Sequence, residues 1–247
     1  MRDMNDFLIK RIEESEKCFL EELKQKDIII ANLANKLDQI SEVNETSSSS
    51  QTGNTSKIQK TVPADVSPTI EKKHNDLLLI GDSIIKHIRE DAINPGKETV
   101  ISCHPGAKPN RIANEFKKIV ECNTFDTIIV HCGINCVPQY SPAYTSDKIV
   151  ELMEMVRSLA PTSKIAFSGL LPKIGPSYLP GINDINDRVF RASMNKHCKF
   201  AFVQHRDYII NTKGTIDTSV FCKTDGIHLS RKGVGALEKS LHNFIQM

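Results

Sequence analysis

The 247-residue chain contains no tryptophan, which excludes nothing, but its other shortages narrow the field. No apolar run approaches the ~20 residues needed to cross a bilayer, so no membrane-spanning helix is expected. There is no Cys-x-x-Cys pair, and His104, His131, Cys132 and Cys136 fit no standard zinc spacing, so we expect no metal and no other cofactor. The seven cysteines are odd in number and follow no disulfide framework. With no leader peptide evident, they read as reduced thiols and predict an intracellular, cytoplasmic protein. Net charge is also small, +2, and points to no particular partner.

Glycine and proline are missing from residues 1–43, and what is there is a heptad pattern. With Ile9, Glu16, Leu23, Ile30 and Leu37 at position a, Ile12, Phe19, Lys26, Leu33 and Ile40 fall at d. This predicts a coiled coil that self-associates, with Glu16 and Lys26 fixing register and the choice between dimer and trimer left open. Residues 44–75 hold the serine run Ser47 to Ser50, then Gly53, Pro63 and Pro68 among polar residues. Such a segment buries too little apolar surface to offset its ordering entropy and reads as a flexible polar linker.

From Asp76 to Met247, strand-like and helix-like segments alternate. Strands are expected at Leu77 to Ile80, Glu98 to Cys103, Thr127 to Cys132, Lys164 to Ser168 and Phe200 to Gln204. Helical spacing covers Ile84 to Glu90, Asn110 to Cys122, Ser146 to Leu159, Asp184 to His197 and Arg231 to Ile245, and Gly175 to Gly181 reads as an irregular loop. Repeated β-then-α predicts a three-layer α/β/α domain over residues 76–247, built on a five-stranded parallel sheet. In the flavodoxin-like order 2-1-3-4-5, strands two and three flank strand one, and ligands bind at the carboxyl edge.

That edge collects the chemistry. Ser83 follows the first strand, Gly106 the second and Asn135 the third, while Asp225 and His228 lie in the loop before the last helix. Acyl transfer needs a nucleophile, a base, an orienter for the base and donors for the developing oxyanion. Ser83 suits the first role, His228 the second and Asp225 the third. The Ser83 amide, the Gly106 amide and the Asn135 side chain would form the oxyanion hole. The plainer alternative is that Ser83 only caps a helix. His87, Asp187 and Arg188 read as solvated helix residues.

Gly81-Asp82-Ser83, Gly106, Gly133-Ile134-Asn135 and Asp225-Gly226-Ile227-His228 resemble, in order, the four blocks of the SGNH/GDSL hydrolases. The resemblance implies a metal-free serine esterase with a shallow, open site, Ser83, Asp225 and His228 as triad, and Ser83, Gly106 and Asn135 as oxyanion hole. The chain departs from it at Cys136, where the family usually has an aspartate after the asparagine. Coiled coil, linker and hydrolase together further resemble the first-open-reading-frame proteins of LINE-type retrotransposons, whose esterase is similar to platelet-activating-factor acetylhydrolases. That implies a small acyl, acetyl-type ester as substrate, in some cases a lipid, and RNA or single-stranded DNA as partner. The alternative is a non-catalytic assembly or nucleic-acid-binding protein that uses the hydrolase fold as scaffold. Residues 77–247 carry 21 basic and 16 acidic residues, a mild excess that oligomerisation could multiply.

Overall fold

The apolar run from Leu77 to Ile80 lies in strand β1 (Lys73–Gly81), and all four side chains are fully buried. They are seen in a computed structural model that describes residues 72–174, 179–195 and 199–247. An all-apolar strand requires cover on both faces. Leu78 and Ile80 enter one core, Leu77 and Leu79 the other. β2 (Thr99–Cys103) and β3 (Asn123–His131) pair with β1 on either side, and β4 (Lys164–Ser168) and β5 (Ala201–Val203) extend the sheet beyond β3. All pairings are parallel, in the order β2-β1-β3-β4-β5, which is the expected flavodoxin-like arrangement.

Six α-helices flank the sheet among the described residues: α1 (Glu90–Ile93), α2 (Pro109–Cys122), α3 (Pro142–Leu159), α4 (Leu179–Ser193), α5 (Arg206–Ile209) and α6 (Arg231–Gln246). α2, α3 and α4 cover one face with Phe116, Met153 and Ile185. α1, α5 and α6 cover the other with Ile93, Ile209, Leu237 and Leu241. Local signals account for the longer helices. In α2, Ile112, Phe116 and Val120 recur every fourth residue and are buried. Ser141 and Ser230 cap α3 and α6, their hydroxyls accepting from the Tyr144 and Gly233 amides at 3.2 Å. No helix among the described residues is long and apolar enough to cross a membrane.

The helix expected over 84–90 is not continuous. A 3-10 turn forms at Ser83–Ile85, and α1 starts only at Glu90. The last residue before it, Arg89, is extended, with φ −104° and ψ 136°. Its backbone amide and its guanidinium both donate to the buried Glu238 carboxylate of α6, at 3.0 and 3.1 Å. A tertiary contact therefore overrides the local helical period. β1 begins at Lys73, three residues before the expected domain start, because Lys73 already pairs with Asn123. Leu179 to Gly181, expected in a loop, are the first turn of α4, and 175–178 lie outside the described residues. The coiled coil of 1–43 and nearly all of the linker of 44–75 also lie outside them.

A buried polar chain crosses the carboxyl edge of the sheet. His131 Nδ1 meets Ser168 Oγ, Ser168 Oγ meets His205 Nε2, and His205 Nδ1 meets Ser240 Oγ, each at 2.8 Å. Burial pushes both imidazoles down, His131 to about 4 and His205 to about 3, so both are neutral at pH 7. The unfolded chain protonates these histidines below about pH 6.5, whereas the folded one resists, so acidification through this window favours unfolding. The buried Asp82, raised to about 7, works in the opposite direction by taking up a proton on folding. Two histidines against one carboxyl leave a net uptake of one proton on unfolding. We therefore expect folding stability, measured by urea melts, to fall by about 1.4 kcal/mol per pH unit between pH ~6.5 and ~4.

Candidate active site

At its carboxyl end β1 passes close against β3. A Cβ on Gly81 would stand 2.3 Å from the His131 carbonyl oxygen, so only glycine allows β1 and β3 this approach. Pairing continues one step further, with Asp82 N donating to His131 O at 3.0 Å and His104 N to Gly81 O at 2.8 Å. The chain then turns, and the turn is capped by Asp82, whose Oδ1 accepts from the Ile84 amide at 3.0 Å. The cap is thus Asp82 and not Ser83, and the Ser83 hydroxyl is left for other work.

That hydroxyl faces His228. Ser83 Oγ lies 3.0 Å from His228 Nε2, and His228 Nδ1 lies 2.8 Å from Asp225 Oδ2. The second oxygen of Asp225 accepts from the amides of Ile227 and His228, at 2.8 and 2.9 Å. Two residues separate Asp225 from His228, and the chain doubles back within them through Gly226, whose φ of +64° is the left-handed region that favours glycine. The loop is fastened at both ends. Cys222 N donates to His228 O at 2.7 Å, and Ile174 N, just after β4, donates to Gly226 O at 2.9 Å. The His228 side chain and the two amides hold the Asp225 carboxyl down at about 2, so it is ionised across the whole working range of an enzyme.

Asn135 approaches from β3 as expected. Its Nδ2 donates to the Ala107 carbonyl at 3.1 Å and stands 3.5 Å from Asp82 Oδ2, which ties the β3 loop to the β2 loop across the end of β1. Gly106 sits in the β2 loop, immediately before Ala107, with φ +72°. Neither the Ser83 nor the Gly106 amide has a hydrogen-bond acceptor among the described residues. All five sequence-predicted residues therefore converge on one edge, on four separate segments. Their surroundings are open: the side chains of Asp225 and His228 are 39% and 48% exposed. The cavity of roughly 530 Å³ among Leu170, Asn186, Phe190, Phe202 and His205 contains none of the five.

Cys136, the departure from the expected motif, is buried, and burial pushes its thiol up to about 11, which leaves it unreactive. His87, Asp187 and Arg188 are exposed, as expected. His131 is spent in the buried polar chain, and no group of three or more potential ligands is arranged for a metal among the described residues. The sequence reading missed Asp82. Fully buried beneath Ser83, it is raised to about 7 by desolvation, against the opposing pull of the Ile84 amide and of charge on His228. The signal was available as the one charged residue between a buried strand and the serine. Because its folded pKa lies above 3.8, Asp82 costs stability increasingly as pH rises from 3.8 to 7. Asp82→Asn keeps the acceptor for Ile84 and removes that cost, so its stability relative to wild type should rise between pH 5 and pH 8 in paired urea melts.

No protein-family model and no curated protein matches the sequence. Solved structures do match. A protein described as a platelet activating factor from Streptococcus pneumoniae superposes with a TM-score of 0.59 at 21% identity, over 73% of this chain and 86% of that one. A GDSL-like lipase from Bacteroides thetaiotaomicron gives a TM-score of 0.58 at 16% identity, over 70% and 88%. The esterase domain of a zebrafish retrotransposon's first-open-reading-frame protein is 24% identical over 69% and 98%, with a TM-score of 0.36. The chain has the α/β/α fold of the GDSL-type lipases and acylhydrolases that are its structural neighbours.

Proposed function

We propose that the chain is a serine esterase that hydrolyses small acyl esters, acetyl esters foremost. The observation that carries this reading is the unbroken relay from Ser83 Oγ through His228 to Asp225, with contacts of 3.0 and 2.8 Å. Ser83 Oγ attacks the ester carbonyl while His228 Nε2 takes its proton. The imidazolium then returns that proton to the departing alcohol, leaving an acyl group on Ser83. Water, deprotonated by the same nitrogen, releases the acid and restores the serine. Asp225 is ionised throughout, holds the Nδ1–H tautomer and stabilises the imidazolium.

The developing oxyanion needs donors that have no competing partner. The Ser83 and Gly106 amides meet that condition. The Asn135 hydrogen directed at Asp82 across 3.5 Å is weakly held and can turn to a substrate oxygen. The exposure of His228 and Asp225 suits an ester on a bulky or surface-bound alcohol, a lipid included. Self-association through the heptads of 1–43 and an origin in a LINE-type element belong to the same proposal. They rest on the order of coiled coil, polar linker and hydrolase in the sequence. RNA or single-stranded DNA binding by a non-catalytic scaffold is the competing reading, and the relay geometry argues for the esterase.

Wild type should turn over p-nitrophenyl acetate and take up a fluorophosphonate at Ser83, located by mass spectrometry. Ser83→Ala should lose both while remaining folded; a folded wild type that neither labels nor turns over would sink the proposal. Asp225→Asn should lower kcat by roughly 10³- to 10⁴-fold, and Asn135→Ala by roughly 10²- to 10³-fold.

A further inference from the structure

Beside the candidate oxyanion loops stands a cluster that the hydrolytic machinery does not use. Tyr140 and Tyr144 stack with ring centroids 4.7 Å apart and an interplanar angle of 25°. Each ring carries a lysine: Lys108 Nζ is 4.9 Å from the Tyr140 centroid, and Lys148 Nζ is 5.7 Å from that of Tyr144. The two cations differ in one respect. Lys148 is neutralised by Glu151, with Nζ–O distances of 2.9 and 2.7 Å. Lys108 instead donates to the neutral Gln139 Oε1 at 2.6 Å and has no carboxylate partner among the described residues. Glu115, one turn along α2 from Arg111, is itself taken by Lys118 at 3.1 Å.

A ring face and an amide oxygen orient an ammonium group without discharging it. Lysine side chains on open surfaces usually wander; this one is half-buried and aimed. Its position follows from the loops that carry the candidate oxyanion donors. Lys108 is two residues after Gly106, which puts their Cα atoms within about 8 Å. Gln139 and Tyr140 follow Asn135 in a tight turn, both of their amides donating to the Cys136 carbonyl at 2.9 and 3.0 Å. Asn135 bonds Ala107, so the two loops form one rim.

We infer that Lys108, held by Tyr140 and Gln139, is an anion-recognition point that makes the enzyme prefer acyl esters whose alcohol portion bears a phosphate or carboxylate. This rests on the esterase reading above, and it adds a specificity residue to it. Lys108 takes no part in bond making: water and ester still give acid and alcohol at Ser83. It contributes by binding the remote anion while the carbonyl sits at the oxyanion donors, so the attraction is expressed in kcat/KM.

The test compares kcat/KM for 4-acetoxybenzoate and 4-acetoxyphenyl phosphate with that for neutral 4-acetoxybenzamide, in wild type, Lys108→Gln and Lys108→Arg. The readout is the anionic-to-neutral ratio, from which any general loss of activity cancels. For a partly exposed ion pair, Lys108→Gln should lower the ratio about fivefold, and Lys108→Arg should retain it. Added salt should lower the wild-type ratio and leave that of Lys108→Gln unchanged. Inhibition by phenyl phosphate would assign the anion to a soluble alcohol, and inhibition only by vesicles of phosphatidylglycerol in phosphatidylcholine to a lipid headgroup. An unchanged ratio in Lys108→Gln overturns the inference while leaving the esterase intact. Failure to hydrolyse even the neutral ester overturns the esterase reading itself.

Discussion

The close approach of Gly81 to the His131 carbonyl sets the position of everything at the carboxyl edge of this sheet. β1 is the strand between β2 and β3, and its last residue has no side chain to hold its neighbours off. Backbone bonds therefore run on past the formal end of the strand, from Asp82 to His131 and from His104 to Gly81. The loops bearing Gly106 and Asn135 are drawn in against the turn that presents Ser83. Asn135 closes the ring by bonding Ala107, on the far side of β1. A bulkier residue at this point would spread the three loops, and the candidate oxyanion donors would no longer share a target with the serine.

The same crowding explains why so many polar groups are buried at this edge. Asp82 is pressed beneath Ser83, and the His131–Ser168–His205–Ser240 chain runs from β3 across to α6. Each group makes at least one hydrogen bond, although His131 Nε2 is left without a partner, and Asp82, His131 and His205 are shifted toward their neutral forms because water is excluded. The triad differs in kind. Asp225 and His228 are on a loop at the surface, and their geometry is fixed by short bonds within that loop and to Cys222 and Ile174, with little help from burial. Buried groups shifted toward their neutral forms support the platform from below, and ionised groups such as Asp225 work on top of it. Lys108 belongs to the second class, since a ring and an amide orient it and leave its charge in place.

Much of this was legible in the sequence because it depends on short-range pattern. The all-apolar Leu77–Ile80 run, stopped by Gly81, has the pattern of a strand covered on both faces. The fourfold spacing of Ile112, Phe116 and Val120 could only bury one side of a helix. Ser83, Gly106, Asn135, Asp225 and His228 were recognisable because each follows a strand or precedes a helix, and parallel topology gathers such positions at one edge. The relation of Asp225 to His228 is local as well, a gap of two residues turned by a glycine.

What tertiary structure alone decided involves partners far apart in the chain. The expected helix after Ser83 is broken because Glu238, 149 residues away, captures the Arg89 backbone. Asp82 was read as part of a motif, but its raised pKa comes from burial that no local pattern announces. His131 fits no zinc spacing in the sequence, but only the fold joins it through Ser168 to His205 in a buried polar chain. Lys108 and Tyr140 are unremarkable in sequence and become a cationic, aromatic rim only where the β2 and β3 loops meet. Periodicity and strand-end position are properties of neighbouring residues, and one sequence determines them. Desolvation and charge pairing depend on which distant surfaces come together, and only the folded chain determines those.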